Sequence, residues 1–115
     1  MSLKILVVDD ETAARRGLAS LLSGWGYEVE EAADGQEALE KAVAGLPSVV
    51  VTDLVMPRLD GHALLRALRE EVPFAAVILL TGQGSIETAV AAMKDGAYDY
   101  LTKPVDLARL KLLIP

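Results

Sequence analysis

Lys4-Ile5-Leu6-Val7-Val8 runs without period-two alternation straight into Asp9-Asp10-Glu11. An apolar run of this length that does not alternate reads as a strand buried on both faces, the habit of strands in parallel sheets. Working outward from it, Ala14, Leu18, Leu21, Leu22 and Trp25 fall at helical spacing, and Gly24 and Gly26 end that helix. Tyr27 to Ala32 alternates as a less buried strand. Asp34 is placed to cap a second helix, with Glu37 three residues on completing a capping box. The apolar stripe of that helix is Ala38, Leu39 and Ala42, and Gly45 and Pro47 end it. Val49-Val50-Val51 is the centre of a third strand that runs into Asp53. Gly61, Leu64, Leu65 and Leu68 mark a third helix capped by Asp60, and Ala76 to Thr81 is the fourth strand. Ser85 caps a fourth helix, with Ala89, Val90 and Met93 near one face and Gly96 as its stop. Tyr98 to Thr102 is a short fifth strand, and Leu107, Leu110 and Ile114 line a last helix.

Five β-α units with hydrophobic strands imply an α/β fold, a doubly wound five-stranded parallel sheet covered by helices on both faces. Right-handed crossovers limit the topology, and strand order 2-1-3-4-5, the flavodoxin-like solution, is a common outcome. The chain of 115 residues is the size of one domain, and 52% of it is apolar, enough for a core without staples. The absence of cysteine excludes disulfide frameworks, thiolate metal sites and thiol nucleophiles together. A net charge of −6 with no basic stripe argues against direct nucleic-acid binding by this domain. No apolar run reaches the ~20 residues that span a bilayer, and Met1-Ser2-Leu3-Lys4 enters a strand without a signal peptide. The chain is therefore expected to be cytoplasmic, with no membrane partner.

In open α/β sheets, ligands bind outside the carboxyl ends of the strands. The first strand ends in Asp9 and Asp10, the third in Asp53, the fourth in Thr81, the fifth in Thr102 and Lys103 before Pro104. Three carboxylates at one edge repel each other, and a divalent cation relieves the repulsion. All the donors are oxygen, which favours Mg²⁺ over zinc. Lys103 adds a positive charge suited to a phosphate oxygen, Thr81 adds a hydroxyl donor, and a carboxylate can itself be the nucleophile. Together they suit a phosphoryl group in transfer. Each residue also has an ordinary role: turn or cap for the aspartates, strand end for Thr81, solvated side chain for Lys103. Their coincidence at one edge carries the reading. His62 has no His or Cys partner and reads as a surface or half-buried side chain, and Trp25 and Tyr27 read as packing residues. Gly82-Gln83-Gly84 lacks the third glycine of a dinucleotide fingerprint, since Glu87 stands there.

The segments Ile5-Leu6-Val7-Val8-Asp9-Asp10-Glu11, Asp53-Leu54-Val55-Met56-Pro57 with Asp60-Gly61, Leu80-Thr81-Gly82 and Tyr100-Leu101-Thr102-Lys103-Pro104 resemble the response-regulator receiver domains of two-component signalling over the whole chain. The stretch from Thr81 to Val90 and from Met93 to Tyr100 is most similar to the nitrogen-regulation (NtrC-type) branch. The resemblance implies that Asp53 is the phosphoacceptor. It implies that Asp10 binds Mg²⁺ directly, Asp9 directly or through water, and that Asp53 and the Val55 backbone carbonyl complete the ligands. It implies that Lys103 pairs with the phosphoryl group, that Thr81 and Tyr100 form a switch pair, and that the side chains at Val55 and Gln83 tune phosphoryl lifetime. A cis Lys103–Pro104 bond is likewise implied.

The implied partner is a sensor histidine kinase. The implied setting is the N-terminal part of a longer transcriptional regulator, with an ATPase and a DNA-binding helix-turn-helix after it and self-association through the fourth and fifth helices; the runner-up is a free-standing single-domain regulator. Apart from its own phosphorylation and dephosphorylation the domain is not expected to be an enzyme. Two rival classes differ at named residues. A haloacid-dehalogenase-type phosphatase needs an acid two residues beyond its nucleophile, where Val55 stands. A phosphorylation-independent module usually loses an acid or the lysine, and all are present here.

Overall fold

The computed structural model describes residues 3–56, 59–82 and 86–114, with residue 86 described by its backbone alone. Strands and helices alternate throughout: β1 Lys4–Val8, α1 Thr12–Gly24, β2 Glu28–Ala32, α2 Gly35–Gly45, β3 Val49–Asp53, α3 Gly61–Glu71, β4 Ala76–Thr81, α4 Ile86–Lys94, β5 Asp99–Thr102 and α5 Leu107–Leu113. The strands form one parallel sheet in the order β2-β1-β3-β4-β5. β2 and β5 each begin one residue later than the sequence pattern suggests, since Tyr27 and Tyr98 precede the ladders.

The pleat sorts the apolar strands between two cores. Leu6, Val8, Val50, Val77 and Leu79 face α2, α3 and α4, packing with Ala38, Ala42, Leu64, Leu68 and Ala92. Ile5, Val7, Val49, Val51, Ile78 and Leu80 face the other way, against Leu22 of α1 and Leu110 of α5. Both sets are buried, which is why β1, β3 and β4 show no alternation in sequence. The edge strand β2 carries Glu28, Glu30 and Glu31, charges that discourage a further strand from pairing there.

Three helix faces differ from expectation. On α4, Ala89 and Ala92 are buried, whereas Val90 is 45% and Met93 39% exposed. Small residues let α4 lie close to the sheet, and its larger apolar side chains turn outward. On α1, Ala19 and Leu22 are buried and Ala14 is exposed. Leu18 and Trp25 pack partly buried against the same core as Leu22, as expected. Ala14, Leu18 and Leu21 also line a groove toward Leu107 of α5, itself exposed, and Leu110 and Ile114 carry the α5 packing.

The caps follow local chemistry. Asp34 and Asp60 accept from the backbone N–H groups of Glu37 and Ala63, each at 2.8 Å, satisfying donors that a helix start leaves open. Glu37 reaches back to the Ala33 N–H at 2.6 Å, one residue beyond the capping-box partner expected. α2 ends at Gly45 as expected, and the residue in the left-handed region that caps it is Leu46 (φ 50°). α4 ends at Gly96 with φ 101°, as anticipated for a glycine stop. The expected Ser85 cap lies outside the described residues.

Candidate functional site

The parallel registers bring four strand ends together. Val8 pairs with Thr52, Asp53 with Leu80, and Thr81 with Thr102, so Asp9, Asp53, Thr81 and Lys103 all emerge at one sheet edge. Carboxylate oxygens of Asp9, Asp10 and Asp53 lie within 4.8 Å of one another, with Asp9 buried, Asp53 half-buried and Asp10 exposed. Lys103 crosses from the end of β5, its Nζ 3.1 Å from Asp53 Oδ2 and 3.9 Å from Asp9 Oδ2. The Lys103–Pro104 peptide bond is cis.

Main-chain bonds fix these side chains. Lys103 N–H donates to the Thr81 carbonyl at 2.8 Å, and Leu54 N–H donates to the Leu80 carbonyl at 2.9 Å. The buried Thr52 hydroxyl donates to the Asp53 carbonyl at 3.0 Å. Glu11 N–H donates to Asp9 Oδ1 at 2.9 Å, which sets the rotamer of the buried carboxylate. Two glycines admit the loop after Asp53. A Cβ at Gly61 would fall 2.4 Å from the Asp53 carbonyl oxygen, and one at Gly35 would fall 2.0 Å from that of Leu59.

Charge in the site is unbalanced. Burial raises the Asp53 pKa, the Lys103 hydrogen bond and charge oppose this, and Asp9 and Asp10 add to the rise; the balance is upward. For Lys103 burial opposes the charged form, but the hydrogen bond to Asp53 and the fields of Asp53, Asp9 and Glu11 outweigh it, and its pKa also rises. The two directions are compatible, because three carboxylates share one ammonium group. The lysine gains partners, while Asp53 remains short of positive charge. The donor set fits a hard divalent cation: only oxygen, three carboxylates and an excess of negative charge.

The remaining expected residues are less tightly gathered. Thr81 is buried at the end of β4. Tyr100 pairs with Leu79, two residues back from the Thr81 rung, and so shares with Thr81 the sheet face that carries α3 and α4. It is partly buried there. Val55 stands 74% exposed beside the site, and Gln83 lies outside the described residues. His62 is an α3 side chain whose Nε2 lies 2.6 Å from Oδ2 of Asp95, the residue after α4, away from the Asp9, Asp10 and Asp53 cluster. Sequence reasoning passed over Arg15, Thr52 and Gly35. Only Arg15 carried a signal, lying one helical turn after Glu11 and so on the side of α1 nearest the aspartates.

A doubly wound sheet with an acidic, lysine-bearing pocket at its carboxyl edge defines a narrow class of α/β domains. Residues 5–114 match the response regulator receiver domain family, and this chain belongs to it. Among curated relatives, it is 46% identical over 110 residues to the response regulator MprA of Mycobacterium ulcerans, a match covering 96% of this chain and 47% of that protein. It is 41% identical to the transcriptional regulatory protein ZraR of Klebsiella oxytoca, covering 96% of this chain and 25% of that protein. The chain thus spans about half the length, or less, of these relatives. Among solved structures, a receiver domain protein from Clostridium thermocellum superposes with a TM-score of 0.94 at 40% identity, covering 97% of this chain and 90% of that one. NtrX from Brucella abortus superposes at 0.91 with 41% identity, covering 98% of this chain and 26% of the other. The ZraR and NtrX matches agree with the nitrogen-regulation resemblance.

Proposed function

We propose that this receiver domain is a phosphorylation-dependent signalling switch that accepts a phosphoryl group on Asp53 from a sensor histidine kinase. The observation that carries the reading is the convergence of Asp9, Asp10 and Asp53 within 4.8 Å with Lys103 Nζ 3.1 Å from Asp53. An Asp53 carboxylate oxygen attacks phosphorus, the bond from phosphorus to the donor imidazole nitrogen breaks, and that nitrogen keeps the electron pair. Lys103 is placed to move from Asp53 onto a phosphoryl oxygen, and Thr81 to offer its hydroxyl to another. Asp9, Asp10, Asp53 and the Val55 carbonyl would hold Mg²⁺, which when bound offsets the charge of carboxylates and phosphoryl oxygens. Attack by water on the same phosphorus returns Asp53 and inorganic phosphate. The domain thereby catalyses only its own phosphorylation and dephosphorylation.

The output follows from the shared sheet face of Thr81 and Tyr100. A hydroxyl drawn toward the phosphoryl group frees space behind it, and Tyr100 turns into that space, shifting a two-state equilibrium of α4 and β5. The setting we propose is the cytoplasmic, N-terminal part of a transcriptional regulator whose remaining length holds an ATPase and a DNA-binding domain. Similarity to ZraR, a transcriptional regulatory protein of which this chain covers only 25%, supports that setting. Among the described residues no helix is long and apolar enough to cross a membrane. Incubation with Mg²⁺ and acetyl phosphate, followed by mass mapping and a phosphate-release assay, tests the reading. One stable adduct on Asp53 supports the switch; continuous phosphate release from small phosphoesters favours a phosphatase instead.

A further inference from the structure

We infer that Arg15 is a positioning residue for the carboxylate cluster, holding the Asp9–Asp10 peptide so that both side chains face Asp53. The inference rests on the metal-dependent phosphoacceptor reading above. Arg15 lies in the first turn of α1, and its side chain is only 14% exposed, unusual for an arginine. Its Nη1 donates to the Asp9 carbonyl at 3.1 Å, and its Nε donates to Glu31 Oε1 at 3.1 Å. One planar guanidinium therefore spans the β1–α1 turn and strand β2, and its rigid fork fixes their separation.

The far end of this brace is itself tied down. Glu31 sits opposite Val7 in the sheet, and Lys41 of α2 donates to the Glu31 carbonyl while pairing with Glu37 at 3.7 Å. On the near side, Asp9 N–H donates to the Ala32 carbonyl at 3.1 Å. The Asp9 main chain is thus held at its nitrogen by β2 and at its oxygen by Arg15. That oxygen belongs to the planar peptide that joins Asp9 to Asp10. Releasing it lets the peptide rotate, and the exposed Asp10 carboxylate swings away from its neighbours.

Charge and geometry predict opposite signs for the loss of Arg15. Removing the positive charge bonded to the Asp9 carbonyl makes the potential there more negative, so field effects alone would tighten cation binding. Loss of the brace weakens it, because outer contacts that orient metal ligands typically carry about tenfold or more in affinity. The test is a Mg²⁺ titration of the chain and of Arg15→Gln and Arg15→Lys, followed by amide chemical shifts, beside metal-free melting curves and acetyl-phosphate labelling.

The expected result is Mg²⁺ binding about tenfold weaker in Arg15→Gln. Labelling is slowed at low Mg²⁺ and restored at saturation, and Arg15→Lys is intermediate, since an ammonium group cannot span both acceptors. A folded Arg15→Gln that binds Mg²⁺ as tightly as the parent, or more tightly, overturns the inference and leaves the phosphoacceptor reading intact. Should Arg15→Gln not fold, unchanged Mg²⁺ affinity in Arg15→Lys overturns it equally. A parent chain that neither binds Mg²⁺ nor becomes labelled overturns both.

Discussion

Asp53 is only 13% exposed at its side chain and lies 3.1 Å from an ammonium group, yet burial and two neighbouring carboxylates still push its pKa above the ordinary aspartate value. A carboxyl whose folded-state pKa is raised favours folding most where it is protonated. Its contribution is fully present below the unfolded-state value and is lost as pH rises through the folded-state value. Without metal, the ionised Asp53 therefore costs stability at neutral pH. Asp53→Asn should raise the metal-free melting temperature at pH 7 by roughly 2–5 °C, and the gain should shrink in melts taken at progressively lower pH. A lower melting temperature at pH 7 would contradict this electrostatic account. Asp10→Ala removes one of the crowded carboxylates from an exposed position, so it should weaken Mg²⁺ binding while leaving the metal-free melting temperature unchanged or higher. A marked fall in metal-free stability would count against the crowding picture.

Secondary-structure elements meet the site through close backbone approaches. A methyl group at Gly61 would lie 2.4 Å from the Asp53 carbonyl and 2.7 Å from the Leu54 Cα, so backbone must give way. Gly61→Ala should cost about 2 kcal/mol in denaturant unfolding and weaken Mg²⁺ binding with it, because the shifted atoms include the carbonyl of Asp53, a member of the carboxylate cluster. An alanine variant of parental stability would show that the loop yields freely. By contrast, Val90→Ala on the outward side of α4 should change stability by no more than about 0.5 kcal/mol. That difference marks what the sequence could disclose. Strand positions were readable because β1, β3 and β4 are unbroken apolar runs, and the site was readable because Asp9, Asp53, Thr81 and Lys103 each stand at a strand end. The buried face of α4 was not, since Ala89 and Ala92 outrank Val90 and Met93 only through their distance from the sheet. The fit of Gly35 under Leu59 depends on a neighbour remote in sequence, and no local pattern encodes it. The contact of Arg15 with Asp9 is local, but its spacing after Glu11 gives only the side of the helix and not the acceptor.

Of the exposed apolar side chains, Val90, Met93, Tyr98, Leu107 and Leu112 lie on α4, on α5 and in the segment leading into β5, whereas Val43, Leu46, Val55 and Phe74 lie elsewhere. We expect self-association through α4 and α5 to follow phosphorylation. Adding Mg²⁺ and beryllofluoride should move the chain from monomer toward dimer in analytical ultracentrifugation, and Val90→Asp should shift that transition at least about tenfold in concentration. An unaltered dimerisation curve in that variant would place the contact elsewhere. The proposed switch depends first on chemistry at one carboxylate. Its most direct test is mass mapping after incubation with Mg²⁺ and acetyl phosphate, run beside Asp53→Asn. The predicted result is a single phosphoryl adduct on the Asp53 peptide that requires Mg²⁺ and is absent from the variant. An adduct on another residue, or equal labelling of Asp53→Asn, would contradict it.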